Sequence, residues 1–208
     1  MKSIVYLVRH GITEAYQKEY YYGGIDVPLV PEGVEEIKRL AAGGLYPDPS
    51  DAQVFTSGML RAEETLFYMY GTETEHEKIT DLREQHYGIF EMKTHEEVCA
   101  MPESKLLFAD KEGIYEIPGG GESRKAFFER LEEGWNKVVG FHRLKELSHR
   151  HSQLPAVTIV VCHGGVIDRI IHNLFGEHDE PRFKWIPEPG HGYSIEFENG
   201  DPVSFEKF

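Results

Sequence analysis

Apolar runs alternate along the chain with stretches of helical periodicity. Ser3-Ile4-Val5-Tyr6-Leu7-Val8 and the segment from Ala156 to Cys162 are almost continuously apolar. That is the pattern of central strands covered on both faces, and it predicts strands over 3–9 and 156–162. Further strands are predicted at 52–57, at a short 77–80, at 192–198 and in a weakly patterned segment at 203–206. A helix over 31–42 opens with Pro31, carries Val34, Ile37, Leu40 and Ala41 on one face and stops at Gly43-Gly44. A second helix, 59–70, follows Ser57, which reads as its cap. The longest begins near Ser123 and runs to about Ser148, with Phe127, Leu131, Trp135 and Val138 at spacings of three and four. A last helix, 165–175, repeats the pattern with Val166, Ile167, Ile170, Ile171 and Leu174. Strands alternating with helices predict an α/β sandwich. The stretch 86–122, with Pro102, Pro118 and a glycine run, is expected to be an irregular excursion over one end of the sheet, within a single domain covering 1–208.

Composition narrows the partners. The chain has 208 residues, 40% of them hydrophobic, which suits one large globular domain. Its net charge of −14, with no basic stripe, argues against a nucleic acid or an anionic membrane as partner. Against that background, any cluster of Arg and His is conspicuous. Only Cys99 and Cys162 are present, one after a helical stretch and one inside an apolar strand, so no disulfide framework is indicated. The amino terminus enters a strand directly, without a signal-like leader, and no apolar run approaches a membrane span. A cytoplasmic location is expected.

Four segments carry candidate chemistry. Arg9-His10-Gly11 falls at the carboxyl end of the first strand, where ligands bind in open α/β sheets. A cation beside an imidazole suits a phosphoryl group: one holds charge and the other can attack phosphorus. Val160-Val161-Cys162-His163-Gly164-Gly165 repeats the arrangement, and its helix amino terminus offers N–H groups to an anion. A lone strand-end histidine is more often structural, but two, each followed by Gly, weaken that reading. In Thr56-Ser57-Gly58-Met59-Leu60-Arg61, the guanidinium of Arg61 sits in the first turn of a helix and can grip phosphate oxygens bidentately. Taken alone, Arg61 pairing with Glu63 or Glu64 on a solvated face is the simpler reading. In Leu82-Arg83-Glu84-Gln85-His86-Tyr87-Gly88, the Glu84 carboxyl would have a raised pKa if it faced a phosphate pocket, and it could then protonate a leaving oxygen.

In order along the chain, these segments resemble the histidine phosphatase superfamily, in the branch related to cofactor-dependent phosphoglycerate mutases. The resemblance rests on Arg9-His10-Gly11-Ile12-Thr13-Glu14, then Gly23, Asp26, Pro28-Leu29 and Gly33, then Arg61-Ala62 with Thr65. It continues through Leu82-Arg83-Glu84 with Tyr87-Gly88 and Glu91, then Pro118, Gly120-Gly121-Glu122-Ser123 with Arg130, and ends at His163-Gly164. It implies a three-layer α/β/α sandwich with a mostly parallel central sheet. It also implies a histidine acid-type phosphatase that takes a small phosphorylated substrate, with no cofactor and no metal required. By position, His10 is the implied nucleophile and Glu84 the proton donor, while Arg9, Arg61 and His163 form the cationic pocket. Thr13, Tyr22, Gly23 and Gly164 join Arg9 and Arg61 as implied substrate contacts.

The resemblance leaves a mutase open as an alternative, as well as an idle protein that only binds a phosphorylated ligand. Tyr16 stands where the mutases have Asn, and residues 92–121 offer Lys93, Lys105 and Lys111 but no Arg for their paired-Arg clamp, which favours a phosphatase. An idle binder would be expected to have lost one of the five catalytic groups, and all five are present. Tyr22 replaces a frequent Gln, Val30 a helix-capping Thr and Met92 a frequent Gly, and Gly119-Gly120-Gly121 is one Gly longer than common. Tyr16, Tyr20, Tyr21 and Tyr22 either line the pocket mouth or pack as ordinary surface. Simpler readings hold elsewhere. The triple Gly lacks a P-loop ending and reads as a turn capped by Ser123, and His149-Arg150-His151 reads as a solvated loop rather than a metal pair. Asp168 and His172 read as a local pair, and the acidic clusters Glu73 to Glu77 and Glu129 to Glu133 as solvated faces. The sequence carries no signal of oligomeric state.

Overall fold

The computed structural model describes residues 2–150, 154–177 and 183–208. Its chain order is β1 (Lys2–Arg9), α1 (Glu14–Gln17), α2 (Pro31–Ala42), β2 (Ala52–Thr56), α3 (Leu60–Tyr70) and β3 (Glu77–Lys78). There follow α4 (His95–Ala100), α5 (Ser104–Ala109), α6 (Arg124–Ser148), β4 (Val157–Cys162), α7 (Gly164–Phe175), β5 (Gly192–Glu198) and β6 (Asp201–Lys207). The six strands form one sheet in the order β3-β2-β4-β1-β5-β6. The first four run parallel, and β5 runs antiparallel to both its neighbours.

The continuous apolar runs of β1 and β4 are explained by two cores. Val5 and Leu7 of β1, with Val160 and Cys162 of β4, pack against Phe127, Leu131 and Val138 of α6 and Ile167, Ile170 and Ile171 of α7. The alternate positions Val8, Ile159 and Val161 face the other way, onto Ile37 of α2 and Leu66 and Met69 of α3. A period of two on strands that are apolar at every position requires helices on both faces, and the result is the three-layer α/β/α sandwich.

Several local expectations meet their physical test here. Ser123 caps α6 by accepting the Ala126 N–H at 3.1 Å. Val30 sits at the N-cap of α2 with no side-chain bond, and Pro31 opens the helix. Ser57 is not the cap of α3. Met59 holds that position, and the Leu60 N–H is taken instead by Asp26 Oδ1 at 2.7 Å. Asp168 has His172 as an electrostatic neighbour, and its Oδ1 also accepts the Trp185 N–H at 2.8 Å. The excursion at 86–122 is more ordered than its prolines suggested. A capping box between Thr94 and Glu97 starts α4, and Phe90, Val98 and Ile117 form a small buried cluster of their own. The four-residue α1 is too short for periodicity to reveal, but Thr13 caps it. His149 bonds Asp51 at 2.8 Å, a residue far away in sequence, while His151 lies outside the described residues.

Strand register decides where the site forms. Arg9 pairs with Cys162 and Thr56 with Val161, so β1, β4 and β2 end within one residue of each other. The chain continues in step just beyond: His10 N–H donates to Cys162 O at 3.0 Å and Ser57 N–H to Val161 O at 3.2 Å. Ser57, His10 and His163 therefore emerge side by side at the carboxyl edge of the sheet.

Candidate active site

His10 is 2% exposed, and its Nδ1 lies 2.8 Å from the carbonyl oxygen of its neighbour Gly11. A carbonyl only accepts, so Nδ1 carries the proton and Nε2 keeps the lone pair. The turn is pinned in turn: Gly11 N–H donates to Thr65 Oγ1 at 2.9 Å, and that hydroxyl donates to Arg61 O at 2.6 Å. Burial, reinforced by Arg61 and Arg9, holds the His10 pKa well below 6.5, so the ring is neutral.

His163 is fully buried, with its ring centroid 5.2 Å from that of His10. Both of its nitrogens are engaged. Arg61 Nε donates to Nδ1 at 3.2 Å, and a guanidinium can only donate. Nε2 therefore carries the proton and points it at Ser57 Oγ, 2.8 Å away. Burial, Arg61 and His10 keep this ring neutral as well.

Arg61 is the largest fully buried side chain among the described residues. Its other bonds run from Nη1 to Ile25 O at 3.1 Å and from Nη2 to Gly23 O at 3.0 Å. These partners are neutral, so the guanidinium charge is directed but not cancelled. Burial weakens its hold on the proton, while an Arg stays charged throughout. Arg9 donates through Nη1 to Pro187 O at 2.7 Å, and its buried Nε has no partner. Tyr16 and Tyr22 cover the two guanidiniums, with Arg9 Cζ 5.0 Å from one ring centroid and Arg61 Cζ 5.2 Å from the other.

Glu84 lies opposite, held by backbone donors. Gln85 N–H reaches Oε1 at 3.0 Å, and Gly165 N–H, at the amino terminus of α7, reaches Oε2 at 2.8 Å. Burial raises the Glu84 pKa above 4.5, and these N–H bonds and the two arginines only partly oppose it. The close approach needs Gly165, since a Cβ there would fall 2.6 Å from Oε1. Arg130 secures the same loop by donating to Asp81 O at 2.7 Å and Arg83 O at 3.1 Å.

The structure thus brings together Arg9, His10, Tyr22, Gly23, Arg61, Glu84, His163 and Gly164, contributed by β1, α3, α7 and the loops. Thr13 is placed differently: it is buried and its hydroxyl accepts the Tyr16 N–H as the cap of α1. The tyrosine loop divides. Tyr21 turns away to His95 and Tyr87, and Tyr20 pairs with Lys18, leaving Tyr16 and Tyr22 at the site. Sequence reasoning misplaced Ser57, whose signal was its nearness to Arg61. It gave no role to Glu91, which accepts N–H bonds from Gly23, Gly24, Ile25 and Tyr87 and so ties the Arg61 carbonyl partners to the Glu84 loop. Pro187 and Glu188 carried no local pattern at all.

A family model described as "Histidine phosphatase superfamily (branch 1)" matches residues 5–206. The chain belongs to this superfamily. Among its relatives, an Arabidopsis thaliana phosphoglycerate mutase-like protein is 28% identical over 166 residues, covering 78% of this chain and 67% of that protein. The adenosylcobalamin/alpha-ribazole phosphatase of Escherichia coli is 28% identical over 187 residues, 89% of this chain and 86% of that protein. A crystal structure of the alpha-ribazole phosphatase of Shigella flexneri superposes with a TM-score of 0.74 at 25% identity, over 96% of this chain and 93% of that one. Among the described residues, no helix is long and apolar enough to cross a membrane.

Proposed function

We propose that this protein is a phosphomonoesterase that hydrolyses a small phosphorylated metabolite through a phosphohistidine at His10. The observation that carries the reading is the tautomer. Gly11 O holds the His10 proton on Nδ1 and leaves Nε2 free to attack, in a pocket where the Arg61 guanidinium donates to the neutral carbonyl of Gly23. The likeness to the E. coli adenosylcobalamin/alpha-ribazole phosphatase supports hydrolysis of a small ester.

In the first step, His10 Nε2 forms a bond to phosphorus, and the bond between phosphorus and the ester oxygen breaks. Glu84, kept protonated above the usual carboxyl range by burial, gives its proton to that oxygen and the alcohol leaves. In the second step, water attacks phosphorus, Glu84 takes its proton, and the P–N bond breaks to release phosphate and His10. Arg9 and Arg61 stabilise the charge spread over the three transferred oxygens, and the His163 Nε2–H, which Ser57 Oγ holds at 2.8 Å, joins them by turning from that hydroxyl to a phosphoryl oxygen. Working activity on the acid side of neutrality follows, because His10 stays neutral well below pH 6.5 while Glu84 must be protonated. The two free thiols accord with a cytoplasmic setting.

The test is phosphate release across sugar phosphates, nucleotides and phosphopeptides, combined with rapid quenching in base to trap an acid-labile phosphoenzyme. Turnover with a trapped intermediate that is lost in His10→Ala is the expected result. A stoichiometric intermediate in His10→Ala would overturn the assignment.

A further inference from the structure

The mouth of the pocket carries a carboxylate for which the two-step reaction above has no use. Glu188 is exposed, and it follows Pro187, whose carbonyl receives the Arg9 guanidinium at 2.7 Å. Its Oε2 accepts the Tyr16 hydroxyl at 3.4 Å, and the Tyr16 ring in turn lies over Arg9. Two separate ties, one through backbone and one through a side chain, therefore hold a negative charge one tyrosine ring away from a phosphate-gripping arginine. On the other wall, Tyr22 stands over Arg61 and makes a T-shaped contact with the His10 ring, at 6.2 Å between centroids. A phosphoryl group seated against Nε2 would direct the organic part of its ester outward between the two tyrosines and past Glu188.

We infer that the Tyr16–Glu188 rim selects esters whose organic part is uncharged or cationic and rejects those with a second anionic group near the phosphate. The inference rests on the phosphatase reading and names the substrate class for the same pocket. Physically, a substrate carboxylate brought to the rim meets a like charge that its own phosphate contacts cannot relieve. For two unit charges separated by about a ring's width in a half-solvated setting, the penalty corresponds to roughly three- to tenfold in kcat/KM. The tyrosine walls add an apolar surface that a neutral body can cover and a hydrated carboxylate cannot. An ammonium group gains from the same carboxylate and from the ring faces.

The experiment compares glycerol 3-phosphate, 3-phosphoglycerate and O-phosphoethanolamine, which are similar in size and differ in charge, with p-nitrophenyl phosphate as the general substrate. The wild-type protein should hydrolyse glycerol 3-phosphate and O-phosphoethanolamine with higher kcat/KM than 3-phosphoglycerate, and the gap should narrow in 0.5 M salt. Glu188→Gln should raise the ratio of 3-phosphoglycerate to glycerol 3-phosphate by about three- to tenfold. Glu188→Lys should raise it further, and Tyr16→Phe, which releases the carboxylate, should shift it in the same direction by less. If the wild type makes no distinction, or Glu188→Gln leaves the ratio unchanged while p-nitrophenyl phosphate is still cleaved, the rim inference fails and the phosphatase reading stands. If no substrate, including p-nitrophenyl phosphate, is cleaved, both fall.

Discussion

The ends of β1 and β4 read almost identically, each an apolar strand running into His-Gly, yet the structure gives the two histidines opposite hydrogen-bonding states. At His10, a carbonyl takes the Nδ1 proton and the other nitrogen keeps its lone pair. At His163, Arg61 donates into one nitrogen and Ser57 lies against the other, so no lone pair is left to attack with. Both rings are buried, both have lowered pKa values and both face the same arginines. On the proposed reaction, what separates the nucleophile from a charge-stabilising donor is not exposure or charge but which partner holds the proton.

Substitutions probe that contrast, and the largest effect is expected at His10, the proposed nucleophile. His10→Ala should cut phosphate release by about 10⁴-fold or more and abolish the phosphoenzyme, with the folded state checked by circular dichroism. His163→Ala should cost less, about 10²–10³-fold, the usual loss for one preorganised donor, and should still form the trapped intermediate. If the trapped phosphate instead vanished only in His163→Ala, the assignment of roles would be reversed.

Glu84→Gln should slow alkyl phosphates by roughly 10²-fold and p-nitrophenyl phosphate much less, since nitrophenolate leaves without a proton. In the wild type, kcat/KM should decline as pH rises through the raised Glu84 pKa, because the acid form is lost. In the variant, that alkaline limb should disappear, which a pH–rate profile with an alkyl ester reads directly. Ser57→Ala should have a smaller effect, a loss of about three- to tenfold, and Ser57→Thr should recover most of it. The informative readout is the nitrogen chemical shifts of His163, which should move away from a single protonated-Nε2 tautomer only in the alanine variant.

A third buried histidine, His142, sharpens the comparison from the stability side. Its Nε2 lies 2.8 Å from Ser3 Oγ and its Nδ1 2.9 Å from Thr158 Oγ1, at the opposite end of the sheet. Burial lowers its pKa from 6.5 to about 4. Between those values the unfolded chain binds a proton that the native protein refuses, so stability should fall as pH drops from 6.5 toward 4. At pH 5 the loss from this residue is about 2 kcal/mol. Urea midpoints at pH 7.5 and 5.0 should show the decline, and His142→Asn should lose that share of it without moving the alkaline limb of turnover.

Much of this was legible in the chain. The two strands that are apolar throughout demanded helices on both faces, because a strand buried on one side only would alternate. The positions of His10, Arg61 and His163 could be read from motifs because each sits at a strand end or a helix start, where local patterns are sharpest, and Glu84, in a loop, from the Leu82-Arg83-Glu84 motif alone. Within the 86–122 segment, α4 and α5 went unpredicted because they are six residues each, too short for a periodic signal, and the segment's buried cluster is Phe90, Val98 and Ile117. Ser57 was read as a cap because Ser before a helix usually is one. Its bond to His163 depends on a residue 106 positions away.

The sequence by itself determined the layer architecture, the family and the set of charged groups, since these follow from periodicity and from ordered motifs within single segments. Only the tertiary structure decided which histidine keeps a free ring nitrogen, that the Arg61 hydrogen bonds run to neutral acceptors, and that Glu188 stands beside Tyr16. Tautomer, desolvation and the neighbours of a charge are set by atoms brought together across the fold, and no local pattern records them.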